Sequence, residues 1–389
     1  MKTVVFYIQH LLGMGHVHRT AALAEEVAKA GKSLDVDVVV ISGGVNDMSA
    51  MVPNCRLEQL PAIGIHEKDF NDRRDPEGNP VSKEYEIARK RRLVALIKTI
   101  RPAALVLELY PFGRRGFKFE LEPLLQEIAQ WDDRPITISS VRDVLIPPAK
   151  NERLSWIADQ VSQHIDHILV HGDPKFMRLE DSFPVDPSYV PRLTYTGFVV
   201  DQRSARPVMS AFQEPGEEVV ISAGGGAVGY DLLACAMSAK SHTALADRRW
   251  HLICGPAMPS EDIGRLMNHA PEGVLLEKER PDMAVLHSTA ALSIGQAGYN
   301  TVMEWLLAGR RGLAVPYDEG HETEQRVRAE KLAEHGLVEV EPAQGLTPER
   351  LADAINKLWK TGTVLDPAPD LALDGASKTA DFILEKIAA

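Results

Sequence analysis

Cysteine is scarce in this chain: 389 residues carry three, Cys55, Cys235 and Cys254, far apart and with no Cys-x-x-Cys spacing. That excludes a disulfide framework and a zinc knuckle, and it fits a reducing cytosol. Positive charge is in deficit, with 43 Lys and Arg against 55 Asp and Glu for a net charge of -12. Nucleic-acid binding through a general positive field is therefore not expected. Long hydrophobic runs are missing too, none approaching the roughly 20 residues that span a bilayer. The apolar start breaks off at Gln9 without a small-residue cleavage site, which reads as a first buried strand rather than a signal peptide. A cytoplasmic protein is expected, with at most peripheral contact at the inner face of the membrane. No Asp-x-Asp pair follows a strand, and in His321-Glu-Thr-Glu-Gln325 a glutamine replaces the second histidine of a zinc-protease helix. The expectation is a chain with neither metal nor bound cofactor.

What is present is a hydrophobic content of 44% with 25% charged residues, in a chain longer than one core usually supports. Two domains are the natural reading. Short β-branched runs alternate with helical stretches from end to end, the pattern of parallel sheets flanked by helices. The first half offers strands at Val4–Ile8, Val36–Ile41, Leu105–Leu109, Ile136–Ser139 and Ile168–Val170. The second offers Val219–Ser222, His251–Cys254, Val274–Leu276, Ala291–Ile294, Leu313–Val315 and Val338–Val340. The alternation lapses around Pro207 and Pro215, giving a first domain over 1–197, a linker over 198–216 and a second domain over 217–365. Residues 366–389 end in an amphipathic helix, Ala376–Ile387. Gly64–Lys83, rich in Asp, Asn, Pro and Gly, has no periodicity and reads as a long mobile loop.

Three glycine-rich turns each follow a strand. Gly13-Met14-Gly15-His16 lies after the first; a dinucleotide fold would want a third glycine at His18 and an acidic residue closing the second strand, where the chain reads Ile41-Ser42-Gly43-Gly44. Gly224-Gly225-Gly226 lies after the strand that opens the second half, where close backbone approach to phosphates is possible. The third, Gly295-Gln296-Ala297-Gly298, runs straight into a helical pattern, Tyr299-Asn300-Thr301-Val-Met-Glu304. A helix start leaves unpaired backbone N–H groups and partial positive charge, so it suits a diphosphate, with Glu304 one turn on for a ribose. Val315-Pro316 then leads to a second helix start at Glu324-Gln325.

Those segments together resemble the donor half of a GT-B glycosyltransferase of family 28. The resemblance implies two Rossmann-like doubly wound parallel-sheet domains facing across a cleft, and a terminal helix crossing back to the first domain. It implies a metal-independent, inverting transfer of a sugar from a nucleotide diphosphate, most commonly UDP, to an acceptor hydroxyl. Gly13, Gly15, Gly224, Gly225, Gly226, Gln296, Ala297, Gly298, Asn300, Thr301 and Glu304 then hold the diphosphate and ribose. Glu324 and Gln325, where the family has a Gln-Gln pair, hold the sugar. His16 matches the histidine of the family's Gly-Gly-His turn, a base for the acceptor, with Asp143 as the alternative. For the acceptor, which is anionic or lipid-linked in related enzymes, the candidates are Arg19, Tyr110, Phe112, Arg114 and Arg115. The basic run Arg89–Arg92 is a candidate for anionic lipid, against the ordinary reading of a solvated helix face. A nucleotide-sugar epimerase or hydrolase, and a non-catalytic nucleotide-sugar binder, share the same donor loops and remain as alternatives.

Overall fold

A computed structural model describes residues 1–11, 15–66, 69–200, 216–225, 228–280, 282–319, 323–366 and 370–388. The chain divides into two compact units, Met1–Val199 with Ala372–Ala389, and Val200–Leu371.

In the first unit a parallel seven-stranded sheet has the order β3-β2-β1-β6-β7-β8-β9. Its strands are β1 (Lys2–Ile8), β2 (Val36–Ser42), β3 (Arg56–Gln59), β6 (Ala104–Glu108), β7 (Ile136–Arg142), β8 (His167–His171) and β9 (Leu193–Tyr195). Helices α1 (Gly15–Gly31), α2 (Lys83–Ile100), α3 (Lys118–Ile128) and α4 (Asn151–His164) make the crossovers. Alternate residues of β1 feed two different cores. Val5 and Tyr7 pack with Leu93 of α2 and Leu121 of α3, while Val4, Phe6 and Ile8 pack with Val17 and Ala24 of α1. A strand apolar on both faces is what a helix-covered parallel sheet requires, which is why these strands read as unbroken hydrophobic runs.

The last described helix of the chain, Gly375–Ala388, belongs to this unit and places Ala380, Ile383, Leu384 and Ile387 in the core shared with α1. Each of its large aliphatic side chains contributes about 1.5–3 kcal/mol by leaving water. The stretch expected to be a structureless loop instead forms an antiparallel hairpin, β4 (Gly64–His66) with β5 (Asp69–Arg74). Its polar, aperiodic sequence gives no strand signal, and the pair is defined by its backbone register. The basic run is also only partly a surface feature. Arg89 is fully buried, its guanidinium paired with Glu120 and donating to the carbonyls of Gly43 and Pro61 and to Gln9.

The second unit has a parallel sheet in the order β12-β11-β10-β13-β14-β15. The strands are β10 (Val219–Ser222), β11 (Trp250–Ile253), β12 (Val274–Glu277), β13 (Leu292–Gly295), β14 (Gly312–Ala314) and β15 (Val338–Val340). They alternate with α5 (Tyr230–Ala239), α6 (Ser260–His269), α7 (Met283–Thr289), α8 (Tyr299–Leu307), α9 (Glu324–Glu334) and α10 (Pro348–Thr361); the terminal helix Gly375–Ala388 is therefore α11. Gly312 is required by packing, since a Cβ there would lie 2.4 Å from the Trp305 ring of α8.

Both sheets reverse their strand order, between β1 and β6 in one and between β10 and β13 in the other. Loops leaving the carboxyl ends of neighbouring strands diverge there to opposite faces, which opens a crevice for ligands. The loops after β1 and β13 carry His16 and Gly298. Gly15 and the Gly298 loop thus lie where a doubly wound sheet binds its ligands.

Candidate functional site

In the first unit Glu108, the last residue of β6, gathers three cationic or titratable side chains around one buried carboxylate. His16 Nδ1 lies 2.5 Å from Oε1, Arg19 Nη2 donates to the same oxygen at 2.7 Å, and Arg114 Nη2 lies 3.2 Å from Oε2. His16 and Arg19 reach it because both stand in the first turns of α1, three residues apart on one face. Burial pushes the Glu108 carboxyl up, but His16, Arg114 and Arg19 outweigh it and hold the group well below the usual carboxylate range. Burial pulls His16 down to about 4 despite the adjoining carboxylate. A neutral His16 that gives its Nδ1 proton to Glu108 presents an unprotonated Nε2. That is the arrangement of an oriented general base, in which the carboxylate fixes the tautomer and stabilises the imidazolium that forms on proton uptake.

The other first-unit candidates fall differently. Gly13 lies outside the described residues, while Gly15 opens α1 with clear space around its Cα. Asp143 follows β7 and is buried. Tyr110 and Phe112 turn inward: Tyr110 packs edge-on against Trp156 and donates to Gln160, and Phe112 is wedged against Phe183 and Tyr189. Both rings are thus packed edge-on against core neighbours. Arg19 is likewise buried in the Glu108 cluster, away from the surface where an anionic acceptor was expected to meet it. Arg115 is exposed.

In the second unit the two described glycine turns are tied to each other. Gln296 Nε2 donates to the Val228 carbonyl at 2.9 Å, joining the loop after β13 to the loop after β10. Gly224 has φ +58, and its amide donates to Ser222 Oγ at 3.1 Å. A Cβ on Gly295 would meet the Ser222 carbonyl at 2.9 Å, whereas Gly224, Gly225 and Gly298 have nothing within 4 Å of theirs. Gly226 lies outside the described residues. Gly298 is the N-cap of α8 and gives no side-chain cap, so the first-turn amides of Asn300 and Thr301 lie outside the ladder of i to i−4 hydrogen bonds of the helix. Such a helix start is suited to a phosphate.

Around it the side chains form a frame. The buried Arg328 guanidinium donates to the Ala297 carbonyl at 3.0 Å and to Glu324 at 2.7 Å, and lies 5.5 Å from the Tyr299 ring centre. It therefore fixes the first turn of α9 against the Gly298 loop. Gln325 accepts from the Tyr317 amide at 3.0 Å, which orients its side-chain amide from the loop after β14. Thr301 is buried, Asn300 and Glu304 are half-buried, and Glu304 faces His287. Sequence reasoning passed over Glu108, Arg328 and His287. The first is a single acidic residue ending a strand, and only the pairing of β6 with β1 brings it beside His16.

This architecture is that of the GT-B glycosyltransferases. The chain superposes on MurG of Acinetobacter baumannii with a TM-score of 0.61, at 17% identity over 99% of this chain and 100% of that one. With UGT2 of Phytolacca americana, solved with UDP-2-fluoro-glucose and pterostilbene, the TM-score is 0.63 at 10% identity over 100% of both chains. Within that class, residues 223–381 carry a glycosyltransferase family 28 C-terminal domain. A stretch of 152 residues is 32% identical to the UDP-N-acetylglucosamine–N-acetylmuramyl-(pentapeptide) pyrophosphoryl-undecaprenol N-acetylglucosamine transferase of Mesorhizobium japonicum. That match spans 38% of this chain and 40% of the relative. Among the described residues, no helix is long and apolar enough to cross a membrane.

Proposed function

We propose that the chain is an inverting glycosyltransferase that takes a sugar from a nucleotide diphosphate donor, a UDP-sugar, and passes it to an acceptor hydroxyl without a metal. The observation that carries this reading is the start of α8: an N-cap at Gly298 that gives no side-chain cap, open space at Gly298, Gly224 and Gly225, and a carboxylate at Glu304 one turn further on. The amides and the positive end of the helix would receive the diphosphate and stabilise it as it departs. Glu304 would accept hydrogen bonds from the ribose hydroxyls. Gln325 and Glu324, held by Tyr317 and Arg328, would orient the sugar.

Chemistry at the acceptor falls to His16. Its Nε2 takes the hydroxyl proton as the acceptor oxygen bonds to the anomeric carbon, and the carbon–oxygen bond to the diphosphate breaks with its electron pair leaving on the diphosphate. One displacement inverts the configuration. Glu108 holds the ring and balances the charge on the resulting imidazolium. The relatives whose names carry a UDP-sugar donor and an undecaprenol-linked acceptor support a lipid-linked acceptor, with the chain working at the inner membrane surface. Calorimetric titration with UDP is the primary test. Wild type should bind, and Glu304→Ala should weaken the complex about tenfold, the cost of one or two charge-assisted hydrogen bonds; unchanged affinity removes the assignment.

A further inference from the structure

Two buried groups, Trp305 and Ser293, and the half-buried Glu304 converge on one imidazole. His287, on α7, is fully buried. Its Nδ1 lies 3.3 Å from the Trp305 indole nitrogen and 2.9 Å from Ser293 Oγ. Its Nε2 faces Glu304 Oε2 at 3.7 Å and has no hydrogen-bond partner among the described residues. An indole N–H can only donate, so Nδ1 must offer a lone pair and the single proton of a neutral ring must sit on Nε2. Burial keeps the ring neutral by pulling its pKa down to about 3. A buried N–H without an acceptor is costly, and the group in front of it is the carboxylate of Glu304.

We propose that His287 is a positioning residue for the donor site: its Nε2–H orients the Glu304 carboxylate toward the ribose hydroxyls, and the contact tightens when nucleotide binds. Trp305 and Ser293 impose the tautomer, so three residues of α7, β13 and α8 aim one carboxylate. A histidine that merely filled space would leave the polarity of both ring nitrogens unused. The inference rests on the proposed role of Glu304 and adds to it the reason the side chain points as it does.

The test uses the full chain with UDP and its 2′,3′-dideoxy analogue as probes, titrated by calorimetry against wild type, His287→Leu, Glu304→Ala and the double variant. His287→Leu should lower affinity for UDP about tenfold while leaving the dideoxy analogue within about twofold, and should cost nothing further in the Glu304→Ala background. An equal loss for both nucleotides marks a packing role and overturns the proposal. If Glu304→Ala itself fails to discriminate the two nucleotides, the reading of the donor site falls and this inference with it. If Glu304→Ala discriminates and His287→Leu does not, only the inference falls. A long-range 1H–15N correlation spectrum of the wild-type chain adds a measurement that needs no variant. Proton on Nε2 supports the proposal, and proton on Nδ1 overturns it.

Discussion

The two units place different kinds of group at equivalent points of their sheets. After β1 and β6 the first unit concentrates charge: one buried carboxylate, two guanidiniums and an imidazole, all paired with one another. After β10 and β13 the second unit offers backbone amides and glycines with open space around them, the nearest charged pair, Glu324 with Arg328, serving as a strut. A paired ionic cluster fixes the position and protonation of one reactive nitrogen. Uncapped amides bind whatever anion arrives and need no counter-charge of their own. Under the proposed function, proton transfer and diphosphate binding would call for opposite local chemistry, and the two units would divide them.

The sharpest break of that comparison is His16→Ala. Turnover should fall by about 10²–10⁴, the usual worth of a positioned general base, with UDP affinity by calorimetry within about twofold of wild type. A parallel collapse of UDP binding would dissolve the separation of roles. Glu108→Gln should follow, lowering kcat while UDP affinity holds, because an amide neither stabilises an imidazolium nor answers two guanidiniums. Removing the charge also leaves Arg19 and Arg114 without their counter-ion, so denaturant unfolding should show a loss of about 3–5 kcal/mol.

A further effect concerns acid. Burial lowers His10 and His16 to about 4 and His171 to about 3 in the first unit, and His287 to about 3 in the second. Unfolded histidines titrate near 6.5, so each buried ring contributes its full stability above that pH and loses it as pH falls toward the folded value. The slope is about 1.4 kcal/mol per pH unit for each group. Glu108, held low in the fold, adds a loss in the same direction below the unfolded carboxylate range. Hydrogen exchange on the whole chain at decreasing pH should therefore show protection falling sooner in Met1–Val199 than in the sheet of the second unit. Equal loss in both would mean the three first-unit rings are not buried neutral.

Most of the sheet framework was legible because strands covered on both faces are written as unbroken apolar runs. Val219–Ser222 and Val338–Val340 carry the same limits in sequence and structure. The hairpin from Gly64 to Arg74 was not legible, since its sequence, rich in Asp, Asn and Arg, shows no alternating apolar pattern. Helix α7 gives no signal in sequence because seven residues make barely two turns and show no clear period. The aromatic residues after β6 suggested a binding surface, but nothing local says which way a ring turns, and Tyr110 and Phe112 turn into the core.

By itself, then, the order of residues determined the doubly wound class, the glycine turns and the helix start at Gly298, because periodicity, glycine and capping are properties of near neighbours along the chain. Only the tertiary structure decided what those features face. Glu108 meets His16 across 92 positions, Arg328 meets Ala297 across 31, and His287 meets Glu304 from a different helix. Electrostatics and burial act through space, and separation along the chain carries no information about distance until the sheets have formed.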